Sequence, residues 1–152
     1  MRRLTNFLGC KLSQKPILYY ILNFTWGIIL TLLGYVLLLI LLPFGRVKRF
    51  NYCLYLELNK TTQWGFAMGT VFFVTKDASI RMKQHEFGHT VQNAIFGPFQ
   101  LILVAIPSVV RFWYRRYLYF RKKFPKTVYD SVWFENTASY IGSYYGYVPN
   151  LK

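Results

Sequence analysis

The sequence predicts an α+β chain: an N-terminal transmembrane helix, a short β-hairpin or sheet, a helix carrying HExxH, and further helices towards the C-terminus. Three observations carry this expectation. A run of uncharged residues fills positions 17–42, two aromatic-rich runs follow, and the stretch RMKQHEFGHTVQNAIFGP, Arg81 to Pro98, holds both histidines of the chain four residues apart. A chain of 152 residues has room for one compact domain beside an apolar segment, which excludes a second large domain. The expected division is a tail and transmembrane helix over 1–45 and an α+β domain over 46–152, with a short apolar membrane-proximal segment at 99–110.

The first element is ILYYILNFTWGIILTLLGYVLLLILL, Ile17 to Leu42, which carries no charge over twenty-six positions. At about 1.5 Å per residue, a helix of that length exceeds a hydrocarbon core of about 30 Å, so it can span with some tilt. No small-residue cleavage site follows it, which disfavours a signal peptide. Tyr19, Tyr20 and Trp26 suit one interface, and Pro43, Arg46, Lys48 and Arg49 mark the other. Arg2, Arg3, Lys11 and Lys15 precede the run, while fifteen basic residues against five acidic ones follow it, which places the larger part in the cytoplasm.

Next, FNYCLYLEL and WGFAMGTVFFV, separated by the polar NKTTQ, read as the two arms of a β-hairpin over 50–74. Asp77 or Ser79 can cap a helix running to about Phe96, where Gly97-Pro98 stops it. The apolar patch Phe99 to Val110 is short for a crossing and contains Gln100 and Pro107, so it reads as buried or interfacial. RFWYRRYLYFRKKF then interleaves basic and aromatic side chains.

A net charge of +14 would first suggest nucleic acid in a soluble protein. Here 54% of residues are hydrophobic and 20% aromatic, a composition that fits an anionic membrane surface better and makes lipid headgroups the preferred partner over nucleic acid. Cys10 and Cys53 flank the apolar run without a CxxC or Cys/His neighbour, so both read as free thiols.

In a helix, positions i and i+4 share a face, so His85 and His89 can present two imidazole nitrogens to one ion. Glu86 then stands beside that ion, where it can take a proton from a water acidified by the metal and pass it to a leaving amine. At 100° per residue, Ile80, Phe87, Val91 and Ala94 form an apolar stripe, and the histidines point away from it. Gly88 between them costs about 1 kcal/mol of helix propensity relative to Ala, which predicts close packing there. A catalytic zinc takes three protein ligands and keeps a fourth position for water. With no other histidine, the third must be a carboxylate or a cysteine, and the acids left are Glu57, Asp77, Asp130 and Glu135. Glu135 in VWFENTASYIGSYY has a helical context with an apolar side, and Asp130 is the reserve; offsetting the surrounding positive charge is the bland role for Glu135.

HEFGHTVQNAIFGPFQLILVAIPS followed by WFENTAS resembles a group of small, uncharacterised bacterial zinc metallopeptidases with HEYGHxxQ, a Gly-Pro pair, a Pro-Ser pair and a downstream ExxA. The preceding GFAMGTVFFV is similar to their strand before the motif, and the likeness covers about Gly65 to Ser139. It implies a zincin-like, gluzincin-type site in which His85, His89 and Glu135 bind Zn2+ and Glu86 is the catalytic base. Two departures stand out: Phe87 replaces the usual tyrosine, and Ser139 stands where an acid or amide often supports a histidine.

The function expected is a membrane-anchored zinc metallopeptidase, in a bacterial inner membrane with its catalytic part cytoplasmic, acting on a peptide or protein substrate. Strand addition to an edge within Gly65 to Val74 would hold the substrate, and Tyr140, Tyr144 or Tyr145 could steady an oxyanion. Arg81, Lys83, Gln84, Gln92 and Asn93 make the motif helix too polar for lipid, which disfavours an intramembrane site. The alternative is a non-catalytic basic membrane protein that binds anionic lipid or nucleic acid.

Overall fold

The computed structural model describes residues 2–62, 64–124, 127 and 131–144. Among the described residues it is an α+β fold of six α-helices and a four-stranded mixed sheet: α1 (Arg2–Ser13), α2 (Pro16–Phe24), α3 (Ile28–Leu41), β1 (Gly45–Phe50), β2 (Cys53–Leu58), β3 (Gly65–Met68), β4 (Val71–Thr75), α4 (Ile80–Phe96), α5 (Ile106–Phe120) and α6 (Trp133–Tyr144). Short 3-10 turns follow α3 and α4, and a π-helical stretch, Leu101–Ala105, leads into α5.

The expected single transmembrane helix is corrected. Residues 17–42 fold as α2 and α3, bent by 92° at a break, and among the described residues no single helix is long and apolar enough to cross a membrane. The break has a physical cause in buried polar groups. Asn93 Nδ2 donates to Asn23 Oδ1 at 2.6 Å and to the Gly27 carbonyl at 3.1 Å, while the Thr31 hydroxyl donates to the carbonyls of Asn23 and Gly27. Backbone carbonyls freed by the bend are thereby satisfied from side chains, which stabilises a break that hydropathy alone cannot reveal.

The single hairpin is also corrected, because each aromatic run contains a turn of its own. Phe50 pairs with Cys53 across Asn51-Tyr52, and Met68 pairs with Val71 across Gly69-Thr70. Asn51 (φ 53°) and Gly69 (φ 63°) supply the left-handed backbone that two-residue hairpins favour at their first position. The two hairpins join through β2 and β4, which run parallel, in the order β1-β2-β4-β3. Arg46, Lys48 and Arg49, expected at a membrane border, lie on strand β1, where Lys48 pairs with Glu57.

Strand β4 is buried at every position, so it reads as a continuous apolar run rather than an alternating one. Phe72 and Val74 pack with Phe87, Val91 and Ala94 of α4 on one face of the sheet. On the other face, Val71 and Phe73 pack with Leu38 of α3 and Leu56 of β2. Ile80, expected in the apolar stripe of α4, is instead 49% exposed at the first position of the helix. Ser79 caps α4 by accepting from the Met82 amide, while Asp77 occupies a turn at φ 62°. Both cysteines are free thiols.

Candidate metal centre

Helices α4 and α6 carry the site, and two glycines let them approach. A Cβ on Gly88 would lie 2.0 Å from the Ala138 carbonyl oxygen, and one on Gly142 would lie 1.9 Å from that of Gln84. Both contacts are backbone, so neither neighbour can swing aside. The close packing expected at Gly88 is thus the approach of α6, and it brings Glu135 beneath the two histidines.

His85 Nε2 lies 3.0 Å from Glu135 Oε2, His89 Nε2 lies 3.3 Å from the same oxygen, and the two Nε2 atoms are 3.2 Å apart. These three residues form a group able to hold a metal ion. Ligand bonds of about 2.0–2.1 Å in a tetrahedron imply ligand–ligand edges of about 3.3–3.4 Å, so the donor set fits with sub-ångström adjustment. Glu135 is 0% exposed, which leaves it no solvent to offset its charge, and two imidazoles with a cation between them would do so.

The far side of each imidazole is held. Gln92 Oε1 accepts from His89 Nδ1 at 2.8 Å, and Gln92 Nε2 donates to the Phe134 carbonyl at 2.8 Å, which fixes the amide the right way round. With its proton on Nδ1, His89 turns a lone pair on Nε2 towards Glu135 and His85. Ser139 Oγ stands 2.8 Å from His85 Nδ1, so the serine fills the supporting position despite its departure from the resembled pattern. Ser108 donates to Glu135 Oε1 at 2.5 Å and leaves Oε2 for the imidazoles.

Glu86 is buried, and its Oε2 has no hydrogen-bond partner. Gly65 makes its seat, since a Cβ there would come within 2.9 Å of Glu86 Oε1. Burial pushes the Glu86 carboxyl above its ordinary value, with Glu135 adding to the rise and the two histidines opposing it. Burial pulls His89 down, but the Glu135 hydrogen bond and charge, Glu86 and Gln92 outweigh it and raise the imidazolium to about 9. For Glu135, burial is the largest influence and raises its carboxyl; both histidines and Ser108 override it and hold it well below the usual carboxylate range.

A cavity of about 650 Å³ opens over these groups, walled by strand β3 on one side and by Leu101, Val104 and Phe112 on the other. Only β3 of the expected Gly65 to Val74 stretch is a sheet edge; β4 is central. Glu57 is paired with Lys48 on β2 and Asp77 lies in its turn, away from the site; Asp130 lies outside the described residues. Tyr140 and Tyr144 are exposed and do not wall the cavity, and Tyr145 lies outside the described residues. Gln92 and Ser108 had no assigned role in the sequence. Gln92 follows His89 by three on one helix face, a usable signal. Ser108 is brought in by the fold-back after α4; its signal was the Pro-Ser pair of the resembled pattern, to which no role was attached. Comparison with family models, curated proteins and solved structures finds no match to this chain.

Proposed function

We propose that the protein is a membrane-anchored zinc metallopeptidase of gluzincin type. The observation that carries this reading is the convergence of His85 Nε2, His89 Nε2 and Glu135 Oε2 within 3.0–3.3 Å, beside a buried Glu86 oxygen with no partner. Two nitrogens and a carboxylate suit zinc, and three protein donors facing an open cavity suit a catalytic rather than a structural site. Bound zinc would polarise a carbonyl and acidify a water.

The chain's own residues supply the rest. Strand β3, at the edge of the sheet, aligns an extended peptide by main-chain hydrogen bonds over the histidines. Glu86, made more basic by burial, removes a proton from the attacking water and delivers it to the leaving nitrogen. One C–N bond breaks, water is consumed, and a carboxylate and an amine leave. Ser108, Gln92 and Ser139 keep the carboxylate and both rings in register.

Membrane attachment rests on the outer faces of α2 and α3, where Ile17, Ile21, Ile29, Leu32, Leu33 and Leu39 are exposed. Such an apolar surface fits lipid, and the fifteen basic residues after Leu42 fit the cytoplasmic side of a bacterial inner membrane. The second reading, a non-catalytic protein that binds anionic lipid, is supported by the exposed basic and aromatic face of α5. Glu86→Gln separates the two. A peptidase keeps one zinc per chain and loses about 10²–10⁴ in turnover of an unstructured polypeptide; a wild-type protein that binds no metal, or a variant as active as wild type, overturns the peptidase reading.

A further inference from the structure

The cavity over the metal centre is bounded by the same elements that expose apolar surface. Leu101, Val109 and Phe112 line it and are also exposed on the outside, in continuity with Ile102, Ile106 and Val110. Leu30 of α3 lines the cavity from within, while its neighbours Ile29 and Leu33 face outwards. The bends after α2 and α4 meet: Trp26 Nε1 donates to the Ile95 carbonyl at 3.3 Å, and the rings of Trp26 and Phe99 lie 6.1 Å apart. The two apolar elements therefore form one surface with the cavity rim set into it.

Helix α5 adds a direction to that surface. Residues 101–110 carry no charge, whereas Arg111, Arg115, Arg116, Arg121, Lys122 and Lys123 follow, and α5 has no buried residue. A helix apolar at one end and basic-aromatic at the other suits entry into a leaflet, with its cations among anionic headgroups. With α5 so seated, the cavity mouth would stand at the bilayer surface.

The geometry points to a substrate fed from the bilayer: an extended, apolar stretch of polypeptide immediately next to a membrane anchor. This deepens the peptidase reading and rests on it. Strand β3, with Phe66 and Met68 on the cavity wall, receives the main chain, and Val104, Val109 and Phe112 receive apolar side chains. A segment far from its anchor has no such path.

The test uses the full chain reconstituted with zinc in phosphatidylethanolamine and phosphatidylglycerol vesicles. Two acyl-anchored peptides carry the same apolar octapeptide behind Gly-Ser spacers of about four or about thirty residues. The Glu86→Gln protein is scored for capture and the wild type for cleavage. Capture of the short-spacer peptide should exceed that of the long-spacer one by about tenfold, although both share the same anchor. Val109→Asp, at an exposed position, should lose most of that capture. Equal capture of both peptides overturns the bilayer-fed substrate, and cleavage of both would then leave the peptidase reading intact. Preferential capture without any cleavage by the wild type supports the feeding route and overturns the peptidase. Capture of neither overturns the proposal.

Discussion

Helices α3 and α4 invert the usual relation between hydropathy and burial. Polar α4 buries nine consecutive residues, Glu86 to Ala94, including Gln92 and Asn93. Apolar α3 buries only Leu30, Thr31, Gly34 and Leu38, and two of those are its smallest or most polar residues. In water this arrangement is unfavourable, since each fully exposed Leu or Ile forgoes about 1.5–3 kcal/mol of burial. The inversion supports the proposal that α4 is organised by what it would hold and α3 by lipid. Each region can be broken separately.

The largest effect belongs to Glu135. Glu135→Ala removes the one acid between the histidines, and zinc affinity should fall by more than about hundredfold, since loss of a mere supporting group costs about 10–100-fold. Chelator competition on the purified protein measures this, and unchanged affinity would remove α6 from the centre.

Gly88→Ala comes next. The new methyl meets the Ala138 carbonyl, which is backbone, so α4 and α6 must part. Overpacking of this kind costs about 1–3 kcal/mol, or a lowering of the melting temperature by about 3–10 °C. If Gly88→Ala melts with the wild type, the close approach of the two helices is wrong.

These residues also show how far the sequence could be read. His85, Glu86 and His89 are legible because one helix turn relates them, and Gly88 because a glycine inside a helix has a cost that packing must offset. Glu135 is singled out by its helical context and by the resemblance, with Asp130 in reserve, and it lies in the group able to hold a metal ion. Gly142, the role of Ser108 and the Asn23–Asn93 contact were not legible, because each acts on a residue dozens of positions away. The sheet was misread for a local reason: Asn51 and Gly69 turn the chain inside runs whose hydropathy looks unbroken. Likewise the bend in residues 17–42 depends on Asn93 of another helix, so a window of hydropathy sees only one long apolar run.

A titration sharpens the polar half of the comparison. In metal-free protein, His89 has its imidazolium raised to about 9 against an ordinary value of 6.5, because Glu135 overrides the effect of burial. The folded state therefore holds that proton more tightly than the unfolded chain. Its stabilisation is complete below pH about 6.5 and is lost as pH rises through about 9. The melting temperature of metal-free protein should fall across that window. A metal ion held by His89 would take the place of the proton, so protein loaded with zinc should lose this slope; an equal slope in both forms would mean that the metal does not sit on His89.

The smallest effect on stability is expected on the apolar half, and its smallness is informative. Leu39 on α3 is 70% exposed, so Leu39→Ser removes almost no internal contact. Stability in detergent should change by no more than about 0.5 kcal/mol, the usual range for surface substitutions. Partition into vesicles should nevertheless weaken, because a side chain worth about 1.5–3 kcal/mol in lipid has been lost. Ala94→Ser on buried α4 should do the reverse, placing a hydroxyl in the core with no effect on the bilayer. If Leu39→Ser instead unfolds the protein and leaves partition untouched, α3 is covered by protein and not by lipid. The inversion between the two helices would then need a partner chain to account for it.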